Sequence, residues 1–400
     1  MSHIREAEET FGAPAFKKLP LSIVKGKGSV VWDANGREYI DFMTGIGVAL
    51  VGHSNDSVVK AINEQASRLI TCHGTFYNDA RAGFMERLVR ISPKGLSKVL
   101  LTNSGTESVE AAIKLARRKT ARKKIISMKG GFHGKTYGSL SATWNRKYRE
   151  PFGPLLDGFG FAEYGDPDSL SQFVDNDTAA VLAEPVQGET GIIVPPPDYF
   201  KQVREICDRK GALLILDEIQ SGLGRTGRMW ASEHWGVIPD IMTVSKGLGG
   251  GLPIGAAVAT DEVMGSLKGG EHTSTFAGNP LSCAAASATI DFITRNDLPR
   301  QAKEKGERMK AGLSEIASEH KLVKEVRGLG LMLALQTRVD ILSQLLSAEA
   351  RGVIFAYSGR DTFRFLPPLV IDDVQVSRGL EVLGEVIGED ESTRLRAPGT

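Results

Sequence analysis

Short, mostly apolar runs, each closed by a glycine-rich or polar loop, set the tightest limit on how this chain can fold. They stand at Lys98–Thr102, Lys124–Met128, Ala179–Ala183, Ala212–Leu216 and Ile241–Val244. A strand that is apolar at successive positions must be covered on both faces. Helical patterns separate several of these runs, as at Asp198–Arg209 and in a helix from Gly105 with Val109, Ala112, Ile113 and Ala116 on one face. That alternation predicts an α/β fold, a mostly parallel sheet flanked by helices. Further helices are predicted near Ser57–Leu69 and Arg81–Ile91. After about residue 295 the pattern changes: helices at Pro299–His320 and Val339–Arg351 alternate with strand-like pieces at Leu331–Gln336 and Thr362–Phe365. This reads as a smaller α+β domain. The opening 45 residues predict a β layer, with Ser29–Asp33 and Glu38–Asp41 flanking the turn pair Asn35-Gly36. The expected division is an N-terminal segment over 1–45 packing with the small domain, a large domain over 46–295, the small domain over 296–388, and a polar, frayed tail over 389–400.

Composition excludes more than it specifies. Lysine and arginine (49) nearly balance aspartate and glutamate (48), leaving a formal charge of +1. Nothing global invites nucleic acid or a membrane surface. No run approaches the roughly 18 consecutive apolar residues of a membrane span. Cys72, Cys207 and Cys283 are scattered, with no CxxC pair, so neither a metal site nor a disulfide framework is indicated. A reducing, cytoplasmic setting is expected.

Three glycine-rich loops imitate nucleotide sites. Gly222–Gly227 fits G-x-G-x-x-G, but DEIQS separates it from its strand, and no acidic residue follows on a second strand about 20 residues later. Gly130–Thr136, GGFHGKT, is one residue short of a P-loop, and KGLGGGLPIG fits neither template. They share a position at the ends of parallel strands, where anionic ligands bind in such sheets.

Asp217 ends the apolar strand Leu213–Leu216, and Lys246 follows Ile241–Ser245. Both charges would meet at the carboxyl edge of neighbouring strands. A lysine beside apolar walls has a lowered pKa and can attack a carbonyl; an aspartate there can keep a pyridine nitrogen protonated. Taken singly, each residue reads more plainly as a solvent-reaching lysine or a helix cap. Thr102–Glu107 joins a strand to a helix and offers a helix start to a phosphate, or simply a capping pair of Ser104 and Glu107. Phe132, between glycines, could stack on a planar ring or pack in the core.

In order, TNSGTES, GGFHGKT, AEPVQGETG, LILDEIQSGLGRTG, PDIMTVSKGLGGGLPIG and TSTFAGNP resemble the class III aminotransferases of fold type I, over roughly residues 15–385. The resemblance implies the cofactor pyridoxal 5'-phosphate (PLP) and a ping-pong reaction. Lys246 would hold the cofactor as a Schiff base and shuttle a proton. Asp217 would pair with the ring nitrogen, Gln220 approach the ring hydroxyl, Phe132 stack on the ring, and Gly105 and Thr106 hold the phosphate. Thr275 would reach the phosphate of a neighbouring subunit, implying a homodimer with shared sites. For Arg225 the expectation is a loop salt bridge.

The same resemblance implies that Arg364 grips the α-carboxylate of 2-oxoglutarate or glutamate, and that Glu189 covers it when an ω-amine occupies the site. Ile46 stands where ornithine aminotransferases carry a tyrosine, which disfavours free ornithine. Lys135 stands where related enzymes often have arginine, which weighs against 4-aminobutyrate. Ser139–Leu155 and Ile70–Asn78 are most similar to the branch acting on 2-aminoadipate or glutamate derivatives linked to an acidic amino-group carrier protein. The expected reaction moves the terminal amino group of an α-amino-blocked diamino acid (carrier-linked lysine or ornithine, or N-acetylornithine) to 2-oxoglutarate, in lysine or arginine biosynthesis. A basic rim for the carrier could come from Arg117–Lys124 or from Arg146, Lys147 and Arg149; the first cluster reads equally as a solvated helix end. The alternatives are a 4-aminobutyrate or ornithine aminotransferase, a mutase or racemase on the same scaffold, and an ATPase using GGFHGKT.

Overall fold

The computed structural model describes residues 2–396. One seven-stranded sheet holds β4 (Lys98–Thr102), β5 (Lys124–Met128), β6 (Phe159–Ala162), β7 (Thr178–Ala183), β8 (Leu213–Asp217), β9 (Ile241–Val244) and β10 (Gly255–Ala259), in the order β4-β10-β9-β8-β7-β5-β6. The run from β9 to β6 is parallel, while β10 is antiparallel to both neighbours. Every residue of β7, β9 and β10 is buried. The helix Gly105–Thr120 lays Val109, Ala112, Ile113 and Ala116 on this sheet against Ala180, Leu182, Ala257 and Ala259. Small residues on both surfaces let the layers approach closely. The chain is therefore an α/β protein, with the mostly parallel sheet that its apolar runs imply.

A second sheet joins the two ends of the sequence. Its strands are β1 (Ile23–Lys27), β2 (Val30–Asp33), β3 (Glu38–Phe42), β11 (Val323–Leu329), β12 (Met332–Thr337), β13 (Val353–Ser358) and β14 (Thr362–Phe365), ordered β1-β2-β3-β13-β14-β12-β11. Only β3 and β13 pair in parallel, with Ile40 opposite Val353.

Several elements differ from the expectation. A helix, Ser2–Phe11, precedes the β layer. Gly255–Ala259 is a strand although glycine and alanine carry no strand signal; burial on both faces places it there. The segment from Glu389, expected to fray, continues the helix Asp373–Arg396. Arg351 pairs with Glu385 and Glu389, and His320 with Glu391, so ion pairs hold these polar turns in place. Residues 397–400 of the expected tail lie outside the described residues. No helix among the described residues is long and apolar enough to cross a membrane.

Candidate active site

Asp217 is the last residue of β8, and Thr243 lies opposite it on β9, three residues before Lys246. Parallel pairing thus delivers the aspartate and the lysine to one edge of the sheet. There they line a cavity of about 320 Å³ with Gly105, Thr106, Phe132 and Gln220. Glu189 stands in the same wall. Sequence reasoning had named all seven.

Asp217 is held from several sides. One oxygen accepts from Thr243 Oγ1 and from Ile219 N, each at 3.1 Å; the other meets His133 Nδ1 at 2.8 Å. With a carboxylate opposite, Nδ1 carries the hydrogen. His133 Nε2 is buried without a partner. Lys246 adopts φ +45°, a left-handed conformation that costs a side-chain-bearing residue about 1–3 kcal/mol and is found where surroundings impose it. No hydrogen bond or ion pair engages its amine among the described residues. Part of its surface opens to the cavity, yet burial lowers its pKa, against the pull of the Asp217, Glu184 and Glu189 charges. Such an amine is readily deprotonated and nucleophilic.

The anion end of the cavity is a helix start. Gly105 opens Gly105–Thr120, and its first N–H groups lack partners within the helix. The capping reading also holds in part: Ser104 Oγ accepts from Glu107 N at 3.3 Å, while the Glu107 carboxylate turns to Asn103 N. Thr106 Oγ1 meets Thr136 Oγ1 at 2.8 Å and Ser139 Oγ at 2.6 Å. Across the cavity Phe132 packs edge-on against Tyr148, and Lys135 Nζ lies 4.7 Å from the Tyr148 ring centre.

Arg364, on β14, is only 2% exposed. Its Nη1 donates to Glu189 Oε2 and to Gly188 O, both at 3.1 Å, and its Nε to Tyr357 O at 3.0 Å. Ile46 sits in a left-handed turn at φ +63°, an unusual place for a β-branched residue. Thr275 is not brought into the cavity. It is exposed, beside Ser274, whose hydroxyl accepts from Asn103 Nδ2 at 2.8 Å.

Two site residues escaped the sequence reading. Glu184 directly follows β7, and its pKa is pushed up to about 7, chiefly by burial. His133 adjoins Phe132, but its aspartate lies 84 positions away. Both sit inside quoted motifs, which is the signal that could have found them. Arg225 corrects an expectation: it makes no salt bridge but is wholly buried, donating to the carbonyls of Leu331 and Pro367. Burial pulls its pKa down to about 9.

These residues suit pyridoxal 5'-phosphate. Gln220 Oε1 is buried with no hydrogen-bond partner, an acceptor awaiting a donor such as a ring hydroxyl, and the Lys246 amine is likewise free. A class-III aminotransferase profile matches residues 11–387. An acetylornithine aminotransferase from Methanopyrus kandleri is 44% identical, over 96% of this chain and 98% of its own. A LysW-aminoadipate semialdehyde transaminase from Deinococcus radiodurans is 43% identical, over 98% and 92%. An ornithine aminotransferase structure from Toxoplasma gondii, with PLP in partial occupancy at its active site, superposes with a TM-score of 0.95. It is 33% identical and covers 98% of this chain and 95% of its own.

Proposed function

The chain belongs to the class-III aminotransferases and is a PLP-dependent ω-aminotransferase, and from that premise we propose which residues act and which amine they serve. Bound PLP supplies an electron sink conjugated with the amino-bearing carbon, making that carbon's proton acidic. Lys246 would anchor the cofactor through Nζ, and the same nitrogen would carry the proton from and to the reacting carbon. Asp217, braced by His133 and Thr243, keeps a proton on the ring nitrogen. Gln220 would accept from the ring hydroxyl, Phe132 would stack on the ring, and Gly105 and Thr106 would hold the phosphate.

One contact carries the substrate reading: Glu189 lies on the buried Arg364, in the wall that Lys246 also lines. Closed, the carboxylate neutralises the guanidinium while an ω-amine without a carboxylate at that point is bound. Open, it frees Arg364 for the carboxylate of 2-oxoglutarate or glutamate. The donor we propose is an α-amino-blocked diamino acid, N-acetylornithine or a carrier-linked lysine or ornithine, yielding a semialdehyde and glutamate in arginine or lysine biosynthesis. Relatives with both kinds of name support this. Glutamate release from 2-oxoglutarate across a panel of blocked donors, free ornithine and 4-aminobutyrate tests it. Blocked donors should lead by about tenfold or more in kcat/KM, the scale of one well-placed polar contact. Faster turnover of ornithine or 4-aminobutyrate would sink the reading.

We also propose a cytoplasmic homodimer with Thr275 completing the partner's phosphate site, and a division into a large domain (46–295) and a small one built from 1–45 and 296–388. The two separate sheets support that division. For the carrier, the second basic cluster is the better supported. In the first, Arg118, Lys119 and Lys124 pair with Glu271, Glu262 and Asp175, and Arg117 and Arg122 donate to backbone carbonyls. In the second, Arg146 pairs with Glu150, but it and Lys147 line a cavity of about 910 Å³ that shares Phe132 and Glu189 with the cofactor cavity. Lys147→Glu should slow the carrier-linked donor and spare N-acetylornithine; equal rates on both would remove the carrier from this rim.

A further inference from the structure

We infer that Glu184 is the positioning residue of the Glu189 gate, tying the backbone on which the gate turns to the loop that presents Phe132. The inference rests on the gate reading above and extends it to a residue with no role in the chemistry so far.

One carboxylate oxygen of Glu184 accepts from Phe132 N and the other from Gly188 N, each at 2.9 Å. Gly188 is the residue before Glu189, and its own carbonyl accepts from Arg364 Nη1. A side chain at Gly188 would displace the Gln220 amide, because its Cβ would fall 2.2 Å from Gln220 Oε1. The peptide before the gate is thus pinned by Glu184 on one side and Arg364 on another, with the Gln220 amide packed against it. The Glu189 side chain, about a third exposed, is free to swing while that peptide stays fixed. Above about pH 7, where Glu184 is ionised, bonds from N–H groups to its carboxylate are roughly twice as strong as neutral ones, and here they are shielded from water.

A purely structural Glu184 would satisfy the same two N–H groups. The readings separate because the closed gate matters in one half-reaction only. In Glu184→Gln the amide offers one acceptor oxygen, and its NH₂ opposes the other N–H, so one loop is released. A loosened Gly188 weakens the hold of Glu189 on Arg364. That penalises the ω-amine half-reaction and leaves the 2-oxoglutarate half-reaction, run with the gate open, much less affected.

The test is single-turnover kinetics on the holoenzyme, each half-reaction followed at the cofactor absorbance, with N-acetylornithine and 2-oxoglutarate as probes. The ratio of donor to acceptor rate constants should fall about tenfold in Glu184→Gln, the scale of one charge-assisted hydrogen bond. A ratio within about twofold of the parent, even with both rates lowered together, overturns the inference. If Glu184→Gln does not fold or retain cofactor, Glu184→Asp replaces it: the charge remains, but the shorter arm reaches only one loop. Glu189→Gln runs alongside. An unchanged ratio there means that the gate itself is absent; a fall there without one at position 184 means that only the positioning role is wrong.

Discussion

Behind Lys246 the chain finishes its own chemistry, whereas around Thr275 it stops short. Asp217, His133 and Glu184 are nearly inaccessible, and each is held by partners from a different strand or loop. The segment near Thr275 has the opposite character. Phe76 and Phe276 are 68% and 65% exposed, and Tyr77 is fully so. This surface is not slack, because Arg81 donates to the carbonyls of Cys72, Phe76 and Gly278 and knits the two loops together. Ordered loops presenting bare aromatic rings mark a surface made for a partner. If the proposed homodimer forms, one end of the site is set by folding and the other by assembly.

Lys246→Ala tests the folded end hardest. Turnover should fall by at least about a thousandfold, because the nucleophile and the proton carrier are lost together. The visible absorbance that borohydride removes from the parent should be absent. A variant as coloured and as active as the parent would end the assignment of the cavity.

Phe276→Glu probes the assembled end. The parent should sediment as a dimer and the variant as a monomer, with activity down by about tenfold or more, since a buried aromatic anchor is worth at least about 2 kcal/mol. Cofactor-free thermal stability should change little, because the exposed ring supports nothing within its own chain. A fully active monomer would show that the rim is dispensable and that Thr275 serves no neighbouring site.

Arg364→Lys lies between the two ends. The lysine keeps the charge but cannot serve Tyr357, Gly188 and a substrate carboxylate together. The KM for 2-oxoglutarate should rise by roughly tenfold to a hundredfold, on the scale of a lost charge-assisted bond, with a smaller change for the amine donor. Equal changes for both substrates would remove Arg364 from the discrimination.

The same contrast explains what was legible in the sequence. Asp217 and Lys246 stood out because each closes an apolar strand, and strand periodicity delivers both to one edge. The brace of Asp217 by His133 was not legible, since it depends on strand order, which no local pattern encodes. Gly255–Ala259 passed unseen because its burial, not its propensity, makes it a strand. Arg225 looked like half of an ion pair but, among the described residues, donates only to the carbonyls of Leu331 and Pro367, which distant parts of the chain bring to it. Thr275 was found through a resemblance alone; within one chain nothing distinguishes it from any exposed loop residue.

The smallest effect concerns a carboxyl buried beneath the site. Glu218 follows Asp217, is 1% exposed, and accepts from Ser221 Oγ at 2.6 Å and Ser232 N at 2.8 Å. Burial pushes its pKa up to about 7 from an ordinary 4.5. Between those pH values the folded chain keeps a proton that the unfolded chain has released, so stability is full below about pH 4.5 and declines as pH rises towards 7. The decline from this group is on the order of 3 kcal/mol. Glu218→Gln cannot ionise and can still bond both serines, so denaturant unfolding of the cofactor-free protein should show a shallower loss of stability across that window. Glu184, raised to a similar value, keeps the remaining slope. An identical pH profile in parent and variant would mean that Glu218 is already ionised at its site, and that the buried end tolerates charge as readily as the exposed rim.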